Sequence, residues 1–148
     1  GDKAPAFKLT TPDLGEIELN DFRGKTVVLN IFPSLDTSVC ATSVRRFNAE
    51  ASKLPDTQVI CVSMDLPFAA KRFCTAEGID NLIVASAFRS PMFAQKYGVE
   101  IVDGPLTGLL ARSVVVIDPK GTVVYTELVN EITTEADYNA ALRIIKES

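Results

Sequence analysis

Thr26-Val27-Val28-Leu29-Asn30-Ile31-Phe32-Pro33-Ser34-Leu35-Asp36-Thr37-Ser38-Val39-Cys40 is the stretch on which the reading of this chain turns. Its first seven residues form an almost unbroken apolar run, the pattern of a central strand buried on both faces. Pro33 to Thr37 follows as a short loop. A helix is expected from about Ser38 to Leu54, because Cys40, Val44, Phe47, Ala51 and Leu54 recur at helical spacing. Cys40 therefore falls in the first turn of a helix that directly follows a buried strand.

Outward from that stretch the alternation continues. Thr57 to Met64 reads as a second buried strand, and Asp65 is placed to cap a helix with Pro67 in its first turn and Gly78 as its stop. Asn81 to Ala85 reads as a third strand, and Pro91 to Tyr97 as a short helix ended by Gly98. Beyond a Gly/Pro-containing loop, Arg112 opens the strand Ser113–Ile117. Asp118-Pro119-Lys120-Gly121 then turns the chain back into Thr122–Val129 as a hairpin. A closing helix is expected over Thr134–Ile145, with Tyr138, Ala141, Leu142 and Ile145 on its apolar face and Thr134 with Asp137 as a weak capping box. The order is β-α-β-α-β-α, then β-β-α. Right-handed crossovers make the first strands parallel and the hairpin adds antiparallel ones. The expected fold class is α/β, a thioredoxin-like layer with a central mixed sheet flanked by helices. At 148 residues the chain suits one domain, spanning 1–148.

Composition narrows the chemistry. There is no histidine, so a Ser-His-Asp triad, a Cys-His dyad, an HExxH zinc site and a facial triad are excluded. The formal net charge is −4, without the basic stripe of a nucleic-acid binder; the adjacent Arg45 and Arg46 read as solvated surface. No apolar run approaches the ~20 residues of a membrane-spanning helix. The first residues, Gly1-Asp2-Lys3-Ala4-Pro5, have neither the plan of a signal peptide nor an initiating Met, which implies a trimmed or processed start.

Three cysteines remain, at 40, 61 and 74, and no two have CxxC spacing. A helix N-terminus presents unpaired N–H groups and positive dipole character. Thiols placed there have pKa values lowered from ~8.5 to about 3.5–7.5, so a nucleophile needs no histidine base. Position alone leaves Cys40 open between that role and a small buried hydrophobe on the helix face. Thr37 and Pro33 tilt the balance: the hydroxyl suits an N-cap as well as a donor to sulfur or substrate oxygen, and Pro33 can shield a thiolate from water. Cys74, beside Phe73, is by itself a helix-face thiol. Cys61, mid-strand in Val59-Ile60-Cys61-Val62, reads as a buried and dispensable structural thiol.

Pro33-Ser34-Leu35-Asp36-Thr37-Ser38-Val39-Cys40 resembles the PSxDTxVC signature of the bacterial thiol peroxidases, a branch of the peroxiredoxins. The likeness extends over Asn30-Ile31-Phe32, Asp65-Leu66-Pro67-Phe68, Arg72-Phe73-Cys74, Ala94–Val99, Asp103-Gly104-Pro105-Leu106 and Glu131-Ile132-Thr133-Thr134-Glu135. Family members usually carry a further N-terminal hairpin, which this sequence lacks. The resemblance implies that Cys40 is the peroxidatic and Cys74 the resolving cysteine, and that Arg112 completes the site with Thr37 and Pro33. It also implies hydroperoxide reduction through an intramolecular Cys40–Cys74 disulfide, thioredoxin as reductant and a homodimer packed near the active-site loops. Electrons would move through sulfur, with no metal or organic cofactor. Reducible thiols suit the bacterial cytoplasm. Two thiols in separate packed helices rarely bring their Cα atoms within ~7 Å, so both segments are expected to unfold locally during turnover. The rival readings are a thiol–disulfide oxidoreductase, disfavoured by the missing CxxC partner, and a thioredoxin-like binding module with inert thiols.

Overall fold

The computed structural model describes residues 2–36, 38–51, 53–102, 104–129 and 138–147. It contains strands β1 (Lys8–Thr10), β2 (Glu16–Glu18), β3 (Thr26–Ile31), β4 (Thr57–Ser63), β5 (Ile83–Ser86), β6 (Ser113–Ile117) and β7 (Val123–Leu128). Its helices are α1 (Ser38–Ala51), α2 (Pro67–Glu77), α3 (Pro91–Tyr97) and α4 (Tyr138–Glu147). The strands form one mixed sheet in the order β2-β1-β5-β4-β3-β6-β7. β3, β4 and β5 run parallel, and β6 pairs antiparallel with β3. This is the mixed thioredoxin-like sheet with flanking helices that the alternation of elements predicts.

The central strands owe their place to their apolar runs. All six residues of β3 and all five of β6 are buried, whereas β7 alternates half-buried with exposed positions, as an edge strand should. Period-2 alternation divides β3 between two cores. Val28 and Phe32 pack with Val44 and Phe47 of α1 and with Ala141, Leu142 and Ile145 of α4. Val27, Leu29 and Ile31 pack on the opposite face with Phe93 of α3, Phe7 and Leu110.

Several sequence expectations shift. α1 ends at Ala51 rather than Leu54: Lys53 and Leu54 form a closing turn onto Glu50 and Ala51, and Pro55 disfavours helical backbone in the residue before it. Asp65 does not cap α2. The N-cap is Leu66, with no side-chain cap bond, while Pro67 at the start and Gly78 at φ 64° end the helix as expected. The third strand starts at Ile83 instead of Asn81, whose N–H and side chain bond to Asn48 at the end of α1. The N-terminal region, to which the sequence reading assigns no elements, forms the β1–β2 hairpin and a 3₁₀ turn over Leu19–Phe22. Three-residue strands are too short to display a period. The turn at 118–121 is confirmed, with the Asp118 carboxylate accepting from the N–H groups of Lys120 and Thr122. Of the closing helix, Thr134 to Asp137 and its capping box lie outside the described residues.

Candidate active site

Sheet register assembles the site. β3 ends at Ile31, which pairs with Ser113 at the start of the antiparallel β6. Arg112 therefore lies alongside the exit of β3, from which the chain leads through Pro33 into α1. Across 72 residues of sequence, an Arg112 guanidinium nitrogen donates to Cys40 Sγ at 3.1 Å. Cys40 is 0% exposed and Arg112 only 3%, so the cation acts on sulfur with little dielectric screening. A guanidinium is charged at any working pH, and its donors stabilise negative charge on sulfur or on a departing oxygen. Pro33 is buried at the strand exit. The structure thus brings Cys40 and Arg112 together, with Pro33 buried at the exit of β3. Thr37 lies outside the described residues.

Beneath Cys40 runs a polar chain that the sequence did not disclose. Asn30 is the one polar side chain at the centre of β3, and its amide donates to Ser43 Oγ of α1 at 3.1 Å. Ser43 donates to the Cys40 carbonyl at 2.7 Å. The same amide reaches Cys61 Sγ at 3.5 Å. Cys61 is fully enclosed, and burial pushes its thiol up to about 12, opposed by the Asn30 hydrogen bond and reinforced slightly by neighbouring Cys74. A thiol so enclosed stays protonated at neutral pH, which agrees with the inert reading.

Cys74 is half-buried on α2, packed against the same core as Cys40, and burial raises its pKa. All three cysteines are free thiols in this structure. The two helices are tied at their rims. Arg45 of α1, expected as plain solvated surface, is exposed but donates to Glu77 of α2, and Arg72 faces Asp36 at 3.7 Å. Asp65, expected to cap α2, instead turns its carboxylate to the loop before Cys40, accepting from the Leu35 N–H at 2.7 Å and Ser34 Oγ at 2.8 Å. Its neighbour Pro67 made it look like a helix cap. Of the apolar residues in and beside the motif, Phe32 and Leu35 are buried in the core, and Val39 is half-buried.

Among the described residues, no group of three or more His, Cys, Asp or Glu side chains could hold a metal ion. No described helix is long and apolar enough to cross a membrane.

With this geometry in view, the comparisons with known proteins place the chain in a family. The Redoxin family model matches residues 1–142. The thiol peroxidase of Corynebacterium glutamicum is 56% identical over 142 residues, covering 96% of this chain and 86% of the relative. That of Mycobacterium tuberculosis is 61% identical over 142 residues, covering 96% and 85%. The chain belongs to the thiol peroxidases of the Redoxin family. Its activity is therefore that of a thiol-dependent peroxidase. A crystal structure of a peroxiredoxin-like protein from Aquifex aeolicus superposes with a TM-score of 0.94 at 44% identity, covering 99% of this chain and 85% of that one. The fold alone is shared with a thiol peroxidase from Chromobacterium violaceum, at TM-score 0.87 and 24% identity.

Proposed function

We propose that Cys40 is the peroxidatic nucleophile of a hydroperoxide reductase contained in one domain. The observation that carries this reading is the 3.1 Å contact between Arg112 and Cys40 Sγ, both buried. The Cys40 thiolate attacks the distal oxygen of ROOH, forming an S–O bond as the O–O bond breaks. The leaving alkoxide takes a proton to become ROH, and Cys40 is left as sulfenic acid. Arg112 lies where charge is shared between sulfur and oxygen in that transition state. Pro33 excludes water, and Thr37 supplies the loop hydroxyl.

Cys74 then attacks the sulfenic sulfur. An S–S bond forms, the S–OH bond breaks, and water leaves with the Cys74 proton. A dithiol of the thioredoxin type returns both cysteines to thiols. Hydrogen peroxide and organic hydroperoxides are both substrates in this reading, and the setting is the bacterial cytoplasm. A homodimer near the active-site loops is supported by Leu66, Phe68, Phe88 and Met92, exposed apolar side chains beyond the ends of the adjacent strands β4 and β5.

The deciding test is stoichiometric. One equivalent of hydrogen peroxide added to reduced protein should remove two thiols per chain as the peroxide disappears, and Cys40→Ser should abolish both changes. Thiols that stay reduced while peroxide persists would leave only the inert binding module.

A further inference from the structure

Asp65 stands between β4 and α2, two residues before the proline that opens the helix carrying Cys74. Its carboxylate serves the preceding loop rather than the following helix. One oxygen accepts from the Leu35 N–H and from Ser63 Oγ, both at 2.7 Å. The other accepts from Ser34 Oγ at 2.8 Å, and that hydroxyl in turn accepts from the Asp36 N–H at 3.1 Å. Asp65 is itself pinned: its N–H donates to Ser63 Oγ at 3.2 Å, and its carbonyl accepts from Ser86 Oγ. Residues 34–36, which join Pro33 to the turn bearing Cys40, thus hang from one carboxylate fixed to the ends of β4 and β5.

A further tie, from Asp36 of this loop to Arg72 of α2, is three-quarters exposed on both sides at 3.7 Å, where water and salt screen it. The Asp65 bonds are half-buried, short and charge-assisted, and so are the stronger restraint. An excursion that lifts the Cys40 turn away from Arg112 draws the 34–36 loop off Asp65 and parts these bonds.

We propose that Asp65 is a positioning residue that holds the 34–36 loop in the conformation in which Cys40 meets Arg112, and whose release lets Cys40 and Cys74 join. The proposal rests on the reading of Cys40 and Cys74 as the working pair. It assigns Asp65 opposite effects on two steps. The restraint favours peroxide attack, which needs the ordered site, and slows disulfide formation, which needs the loop to leave it. A residue that only stabilises the fold would not separate the two.

The experiment compares wild-type chain with Asp65→Ala, Asp65→Asn and Ser34→Ala. The chain has no tryptophan, so samples mixed with hydrogen peroxide are quenched by alkylation and read by mass spectrometry. Loss of the Cys40 thiol gives the attack rate, and later loss of the Cys74 thiol gives the resolution rate. In Asp65→Ala, attack should slow on the order of tenfold, the effect of losing about one charge-assisted hydrogen bond. Resolution should quicken severalfold, and the share of Cys40 driven to sulfinic acid at high peroxide should fall. Asp65→Asn, which keeps one accepting oxygen, should lie between Asp65→Ala and wild type, and Ser34→Ala nearer wild type. If Asp65→Ala does not fold, the other two carry the same signature. Rates that fall together, or do not move, in variants of a disulfide-forming wild type overturn the role of Asp65 alone. A wild-type chain that reaches sulfenic acid without a Cys40–Cys74 disulfide overturns the working pair, and the release step with it.

Discussion

α1 and α2 lie against the same face of the sheet and each carries one cysteine of the proposed working pair, yet they are anchored very differently. α1 buries Cys40, Ala41, Ser43, Val44 and Phe47. α2 fully buries only Pro67 and Ala70, with Phe73 and Cys74 partly covered. A fully buried Val or Phe is worth about 1.5–3 kcal/mol, so Val44 and Phe47 alone give α1 several kcal/mol that α2 lacks. The rim ties do not redress this. The exposed Arg45–Glu77 pair contributes about 0.2–1 kcal/mol, and each Asn48–Asn81 hydrogen bond about 0.5–1.5 kcal/mol. The contrast teaches a division of labour. In the proposed cycle the helix that holds a thiol against a cation is anchored along its body, so that release is confined to the loop and first turn before it, and the helix whose thiol travels is lightly held throughout.

Three measurements would break or sharpen that contrast. The largest effect is expected at Arg112. Replacing it with Lys keeps the charge but loses the planar fork aimed at sulfur. Peroxide attack on Cys40 should fall on the order of 10²-fold, the usual scale for removing one preorganised donor, while conversion of sulfenic acid to disulfide stays near wild type. Equal losses in both steps would show that the two helices do not act separately.

Amide exchange comes next. Opening free energies track local burial, so amides of α2 should exchange on the order of 10²-fold faster than those of α1 in the reduced protein, each decade corresponding to about 1.4 kcal/mol. Equal protection would remove the distinction between a fixed and a lightly held helix.

The smallest effect is in pH. Burial raises the Cys74 pKa above the ordinary thiol value, so in the folded form its thiolate is scarcer at neutral pH than in an opened one. Disulfide formation should quicken with rising pH, by up to about tenfold per unit below the midpoint. If α2 opens before reacting, the midpoint should sit at the ordinary value near 8.5; a higher midpoint would mean that Cys74 reacts from within the packed helix. Stopped reactions analysed by mass across a pH series would separate the two.

The working core of the site was legible because its signals are local or chemically singular. The apolar run over 26–32, the loop, and a cysteine one turn into a helix need no knowledge of distant residues. Arg112 was legible only through the family resemblance, since nothing near it in sequence indicates a partner 72 residues away. Asp65 shows how local reading misleads. An acidic residue just before Leu66-Pro67 has the form of a cap, but its lone pairs are taken by Ser63 and by a loop 30 residues back. Asn30 looked like an interruption in an apolar strand. Its partners, Ser43 and Cys61, become neighbours only when β3 meets α1 and β4.

The antiparallel pairing of β6 with β3 also has a consequence for the making of the protein. Synthesis delivers Cys40 long before Arg112, and the guanidinium reaches the sulfur only after β6 has been made and has docked. That contact is non-local and carries the loop-closure cost of all non-local pairings. A nascent or misfolded chain therefore carries Cys40 without the cation that completes its site. In the proposed mechanism the nucleophile is thus completed late, and an incomplete copy of the chain would meet peroxide without Arg112 at the sulfur.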